Sequence, residues 1–481
     1  MALRYLPTPF SLGTPGPDWA IAKNFTWTGS KMRLKRFGTT YIEDPQDNYE
    51  IRFSSHEQSY RNYFSILIGS NGTQKSRTLR SILDNAAYMI EAKDSRRRSR
   101  AGALELWDIA DNSTHISKII AVSGVATDRF PSRLTLRRRP QSQAAYRYIG
   151  PRTDNNLVSR AQGIAQIAAS LLESPDRIRF RYKHLKHAFS ILKVANGIHF
   201  TFTRSVAEEG KWTLPKIKNR LINIKHDSQD SEERVQLVSR CVQIMKANYE
   251  VEIRLDLDDV VRIDATHGDL KAIEALLNCN LIAVKDSYTY NDTDSKVLRL
   301  NDFSSGQWHI FSSLLFTAIA VEDNTLILID EPENSLHPEW QQQYLRLMKN
   351  VISSSSGVHL VIATHSPLIA SSLDPVEAEV IRLKRNQRGR LTADALEAGP
   401  FGWTSDEILQ DVFGLDSSRS IEFTKRMDAA LGLFAKGDRT NPKLHQLVKS
   451  LQKTLPNLPS DDIARQIINT LLIVLDNSEL K

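Results

Sequence analysis

Two acids at the end of an apolar run are the first residues of this chain with an evident chemical use. Asp330 and Glu331 directly follow Leu326-Ile327-Leu328-Ile329. A carboxylate at the end of such a run is costly unless a cation or hydrogen bonds compensate it. Asp330 is therefore read as a Mg2+ ligand, directly or through water, and Glu331 as a group that orients and deprotonates a water for attack on a phosphate. An ordinary acidic turn after a strand contains the same residues, so the pair needs a phosphate cradle elsewhere. Gly69-Ser70-Asn71-Gly72-Thr73-Gln74-Lys75-Ser76-Arg77 supplies one. Backbone N–H groups of a glycine-rich loop and helix start face phosphate oxygens, where the helix dipole also favours negative charge. Lys75 suits the β/γ oxygens, and the Ser76 hydroxyl completes the Mg2+ shell with Asp330. Gln74 stands where G-x-x-x-x-G-K-[ST] has glycine. A Cβ there either takes up a less favourable backbone or narrows the approach to the phosphates, so weak hydrolysis is expected. A third group, Ser304-Ser305-Gly306-Gln307, has hydroxyls and free N–H groups at a helix start. It suits either an anion or a plain N-cap. Its place about 20 residues before the acidic run favours the first.

Each group implies an element that holds it. Leu326–Ile329 reads as a strand buried on both faces, and the carboxyl ends of such strands are where open α/β sheets place ligands. Phe64-Ser-Ile-Leu-Ile68 is a second such strand, running into the glycine-rich loop, and a helix over 77–90 is expected after it. Lys118-Ile-Ile-Ala-Val122 and His359-Leu-Val-Ile-Ala363 are further buried strands. Segments 39–42 and 49–53 suggest antiparallel strands, and 251–255, 280–290 and 297–300 more strands. Between 151 and 250 the pattern changes to helices over 157–173, 176–192 and 232–249, without sustained heptads.

Residues 69–76, 304–307, 326–331 and 363–367 fall in the order of Walker A, signature, Walker B and switch histidine. The chain thus resembles an ABC-type ATPase head of the RecF/SMC/OLD group, and Ser335-Leu336-His337-Pro338 resembles that group's D-loop. The resemblance implies an α/β fold, a P-loop NTPase sheet with an antiparallel β part, carrying a helical insert and a helical C-terminal segment. It divides the chain into an arm (1–20), an N-terminal half with Walker A (21–150), a helical insert (151–250), a C-terminal half (251–400) and a helical segment (401–481). It also implies ATP and Mg2+ as cofactors and a head-to-tail homodimer or higher oligomer. In that dimer Lys75, Ser76, Asp330, Glu331 and His365 of one copy face Ser305 and Gly306 of the other, with His365 at the γ-phosphate. The Q-loop glutamine of the group has no evident counterpart after 118–122. OLD nucleases carry a Toprim domain after the head, for which the remaining helical residues are too few, and SMC-type repair ATPases carry a long coiled coil. The compact insert and the segments 119–131 and 146–150 are similar to ATPases of bacterial anti-phage systems, the Septu PtuA type nearest. Those assemble with a separate effector, an HNH nuclease in Septu.

Composition is compatible with this. The net charge of +7 permits an acidic partner such as nucleic acid without requiring one. Arg96–Arg100, Arg137–Arg139 and the run 177–193, interleaved with Phe180, Tyr182 and Phe189, are the densest basic clusters, and solvated faces explain each separately. Cys241 and Cys279 form neither a disulfide framework nor a zinc set, which suits a reducing cytoplasm. No signal peptide or bilayer-spanning run is read, so no membrane partner is expected. His199 and His267 lack partners at metal spacing and read as structural. The function expected is an ATPase subunit of a cytoplasmic defence complex controlling an effector. A RecF-like DNA-repair ATPase and a non-hydrolysing ATP-binding scaffold or sensor remain as alternatives. The apolar residues of 401–481, from Ile408 to Leu475, are expected to need the head or another chain to cover them.

Overall fold

The strand Thr325–Asp330 lies inside a seven-stranded sheet, with all six residues buried. The computed structural model describes residues 32–479 except 40–47, 54–60, 93–101, 108–114, 126, 133–144, 152–159, 174–181, 196, 206–214, 216–218, 220–230, 248–250, 257–261, 264–266, 280, 292–295, 375–377, 397–399, 416 and 418. The sheet runs Leu391–Leu396, Ala378–Arg385, Tyr63–Ile68, His359–Thr364, Thr325–Asp330, Lys118–Ser123, Tyr146–Ile149. Its strands are parallel, except that Leu391–Leu396 returns antiparallel along the edge.

Side chains alternate across a strand, so consecutive apolar residues serve two cores. Ile327 and Ile329 pack with Phe311, Leu314 and Leu315 of the helix Ser305–Ala320 and with Leu345 and Met348 of Pro338–Ile352. Leu326 and Leu328 face Leu79, Ile82 and Leu83 of the helix Lys75–Ala92. Phe37 and Ile51 of a three-stranded antiparallel sheet, Glu50–Arg52, Leu34–Thr39 and Gly102–Leu106, share that second core. Each fully buried Ile or Leu contributes roughly 1.5–3 kcal/mol over an exposed one, which fixes this register firmly.

Several expectations need correction. Segment 151–250 is not wholly helical. Gly197–Arg204 is a strand that pairs with Val251–Asp256 and Ile282–Tyr290 in a five-stranded antiparallel sheet. A domain boundary at 250 would cut that sheet. The cause is alternation in this strand, where Ile198, Phe200 and Phe202 are buried. A strand spans Leu34–Thr39, and residues 40–42 of the expected strand and the arm 1–20 lie outside the described residues.

The C-terminal segment divides into two parts. Thr404 and Glu407 form the expected capping box, and Ile408 and Val412 join the head core. The helices Ile421–Ala435, Pro442–Gln452 and Ile463–Glu479 instead bury Met427, Ala430, Leu444, Val448, Leu451, Ile468, Leu471 and Leu475 against one another. Three amphipathic helices suffice to cover one another's apolar stripes, so these residues need neither the head nor a second chain. Among the described residues, no helix is long and apolar enough to cross a membrane.

Candidate functional site

Parallel registration sets the carboxyl ends of four strands side by side. Asp330 pairs with Ala363 on one flank and Ser123 on the other, and Thr364 pairs with Ile68. The glycine-rich loop leaves that edge at Gly69, where a Cβ would collide with the Leu383 carbonyl oxygen. Only glycine permits that approach. Gly72 has φ +81° with open space around it, and Gln74 has φ +65°. The backbone required at position 74 is thus left-handed, and the chain adopts it with a side chain that costs about 1–2 kcal/mol there. Glu331 (φ +46°) and Ser335 (φ +69°) are strained in the same sense. Of five described non-glycine residues with positive φ, three therefore cluster around the site, as is typical of functional loops.

Five residues singled out in the sequence come together. The Ser76 hydroxyl donates to Asp330 Oδ1 at 3.0 Å. Lys75 Nζ donates to the Gly69 carbonyl at 2.7 Å and to the Ser70 carbonyl at 3.2 Å, and it lies 3.5 Å from His365 Nδ1. His365 Nε2 is 3.7 Å from Glu331 Oε1, and Glu331 Oε2 accepts from Asn334 Nδ2 at 3.1 Å. Burial pushes the Asp330 carboxyl up to about 7, against the Ser76 hydrogen bond and helped by the charges of Glu331, Asp128 and Glu333. Burial also pushes the Lys75 ammonium down to about 8, against the pull of Glu331, Glu333 and Asp330. His365 is pushed down to about 4 by burial and then by Lys75. It is neutral at pH 7, so Nδ1 accepts toward Lys75 and Nε2–H points toward Glu331.

The signature residues stand apart from this group. The Ser304 hydroxyl accepts from Gln307 N–H, and the Gln307 side chain accepts from Ser304 N–H, a complete capping box. Ser305 is exposed and Gly306 buried, and a Cβ on Gly306 would collide with the Ser335 carbonyl oxygen. No hydrogen bond among the described residues joins 304–307 to Lys75, Ser76 or Asp330. Of the basic clusters, 96–100, 137–139 and 177–181 lie outside the described residues.

Sequence reasoning missed Glu333. Its Oε2 accepts from the Thr364 hydroxyl at 2.8 Å and its Oε1 from the His365 N–H at 2.5 Å, so it ties the acidic loop to the switch segment. The doubled acid in Glu331-Pro-Glu333 was the available signal. No glutamine stands at the end of Lys118–Ser123; Gly124 N–H donates there to the Asp330 carbonyl at 3.0 Å.

The donor set fits a Mg2+–nucleotide. One hydroxyl and one buried carboxylate are already paired, a lysine is at hand, and the loop is open above Gly72. Among the described residues no three His, Cys, Asp or Glu side chains converge to hold a metal alone, which suits a cation that takes most of its shell from phosphate and water.

The family model described as "AAA domain, putative AbiEii toxin, Type IV TA system" matches residues 64–371. The chain belongs to this AAA-domain family. The AAA domain so defined holds all four sequence motifs. It is similar to the Septu protein PtuA of Bacillus thuringiensis, 34% identical over 128 residues, which cover 23% of this chain and 29% of PtuA. It is also similar to the "Retron Vc95 probable ATPase" of Vibrio cholerae serotype O1 biovar El Tor, 30% identical over 84 residues, covering 18% of this chain and 15% of that one. These matches span less than a third of either relative. Among solved structures, the Smc head domain bound to the C-terminal domain of ScpA, from Pyrococcus furiosus, aligns over 76% of this chain and 96% of its own at 12% identity, with a TM-score of 0.31. The expected likeness to the Septu protein PtuA thus holds.

Proposed function

We propose that this AAA domain binds and hydrolyses ATP with Mg2+ as a subunit of a bacterial anti-phage defence complex, and that two copies closing over ATP control a partner effector nuclease of the HNH class. The convergence of Lys75, Ser76, Asp330, Glu331 and His365 at one sheet edge carries this reading. Bound Mg2+ neutralises phosphate charge. Lys75 holds the β/γ oxygens, and the loop N–H groups of residues 70–76 hold the rest. Glu331, fixed by Asn334, takes the proton of the attacking water, and neutral His365 offers Nε2–H beside it. The names of the similar proteins support the defence setting. The exposed Ser305, which makes no hydrogen bond to Lys75 of its own copy among the described residues, supports completion of the site by a second copy. Calorimetric ATP titration tests the site: Lys75→Ala should abolish binding, whereas Glu331→Gln should bind ATP and lose hydrolysis. Equal ATP affinity in wild type and Lys75→Ala would overturn it.

One observation favours a second reading, an ATP sensor that turns over little. It is Gln74 in the left-handed region at the position where the phosphate cradle has glycine.

A further inference from the structure

The helix Ser305–Ala320 borders a cavity that the ATP reading leaves unused. It holds about 330 Å3, within the range of small-ligand pockets. Its other walls are the helix Arg160–Glu173, the ends of Lys118–Ser123 and Tyr146–Ile149, and the loop through Asn334 and Ser335. Two aromatic side chains, Trp308 and Phe316, line it. Gly163 lets the Trp308 ring lie where a Cβ would collide with it. Among the described residues of the lining, Arg160 is a cation and none is an acid. His309 is neutral there at pH 7, because burial pushes it down to about 4. Arg160 Nη1 donates to the Asn301 carbonyl at 2.7 Å and to the Phe303 carbonyl, and the guanidinium flanks Trp308 at 5.6 Å from the ring centroid. Both bonds use Nη1, so Nε and Nη2 keep their donors for a ligand. Gln166, also in the lining, is exposed and makes no hydrogen bond among the described residues. Its amide sets a donor beside an acceptor, the pair that reads an adenine edge.

We propose that this cavity binds a nucleoside monophosphate as an effector of the ATP site, with the base against Trp308 and Phe316 and the phosphate on Arg160. Aromatic faces stack on bases, and a guanidinium fork suits a phosphate. A cavity with a cation and no acid in its lining favours an anionic ligand over a neutral one. The effect on turnover rests on the ATP reading of Lys75 and Glu331. The lining includes Asn334, which holds Glu331, and Ser305, which the second copy's ATP is to meet. Arg160 is bonded to the residues that lead into Ser305. A phosphate held there repels the incoming triphosphate, so occupancy slows hydrolysis.

The test is calorimetric titration with AMP and adenosine on the full chain carrying Lys75→Ala, which silences the ATP site. AMP should bind, about tenfold more tightly than adenosine. Adding Arg160→Met should abolish that preference, and adding Ser312→Leu, which fills the cavity, should abolish AMP binding. With Lys75 intact, both variants should keep the wild-type circular dichroism and ATP affinity, which shows that they fold. Saturating AMP should slow phosphate release by wild type at least about twofold and leave Arg160→Met unchanged. A Lys75→Ala chain that binds no AMP overturns the proposal, as does AMP binding that Arg160→Met and Ser312→Leu leave unaltered. Slowing that persists in Arg160→Met puts AMP in the ATP site and overturns it too, and a wild-type rate indifferent to bound AMP overturns the effector role. A wild type that binds no ATP overturns instead the reading of Lys75 and Glu331, while the AMP titration still decides the cavity.

Discussion

Asn in place of Asp330 isolates the cost of the charge at the end of the buried strand. Asn retains an oxygen to accept from the Ser76 hydroxyl and changes little else. The carboxyl of Asp330 moves from 3.8 to about 7 on folding. Below pH 3.8 both folded and unfolded chains hold the proton. Between there and pH 7 the folded chain holds a proton that the unfolded one has released, so stability falls as pH rises, and levels off above 7. At about 1.4 kcal/mol per pH unit the full cost is about 4 kcal/mol. Asp330→Asn should therefore stabilise the metal-free protein by about 4 kcal/mol at pH 8, and by less than about 2 kcal/mol at pH 5. At about 2 °C per kcal/mol, the thermal midpoint in EDTA should rise about 8 °C at pH 8 and under about 4 °C at pH 5. Mg2+ and ATP together should raise the wild-type midpoint further and leave the variant unmoved. A variant that melts at or below wild type at pH 8 would refute the reasoning, since the acid would then contribute stability rather than reserve a cation site.

Other residues give further tests. Gln74→Gly relieves about 1–2 kcal/mol of left-handed strain and loses about 0.4–1 kcal/mol to the freer unfolded chain. Its melting should hardly move while phosphate release rises severalfold, and an unchanged rate would mean the loop tolerates the side chain. Ser305→Arg should leave ATP binding by a single copy intact and abolish ATP-dependent dimers in light scattering; dimers equal to wild type would remove the head-to-tail arrangement. Truncation after residue 418 should yield a folded head that binds ATP, because the last three helices have their own core. Truncation after 440 should give insoluble protein, because it strips Met427 and Ala430 of their cover, and circular dichroism with sedimentation separates the outcomes.

The chemistry was legible where the backbone demands it of local residues. Leu326-Ile-Leu-Ile announces a strand apolar on both faces, and Lys75-Ser76 after glycines announces a helix start; both stand as read. Gln74 was visible as a departure, and its φ of +65° gives the physical form of that departure. What was not legible depends on partners distant in sequence. Gly197–Arg204 alternates over few residues between helical stretches, and its partners lie on the far side of a long helix. The hairpin Ala378–Arg385 and Leu391–Leu396 is short and charged. Glu333 looked like one more loop acid until Thr364 and His365 were seen to bond it. The C-terminal tail was expected to be too small to bury its apolar set alone, because the sequence does not show that its three helices share one core.

The order of strands bears on how the protein is made. Tyr63–Ile68 is fully buried, yet its two neighbours are His359–Thr364 and Ala378–Arg385. During synthesis it must wait for about 300 residues, roughly 15–60 s at ~5–20 residues per second. Until then an apolar strand with two open edges is attached to the nucleotide loop. The loop itself cannot take its native shape earlier, because Gly69 is packed against Leu383. On the proposed reading, nascent chains gain an ATP site only after the strand Ala378–Arg385 has left the ribosome. The same delay makes Tyr63–Ile68 the segment most in need of a holding chaperone, and stalled chains ending before residue 359 should be the ones such a chaperone retains.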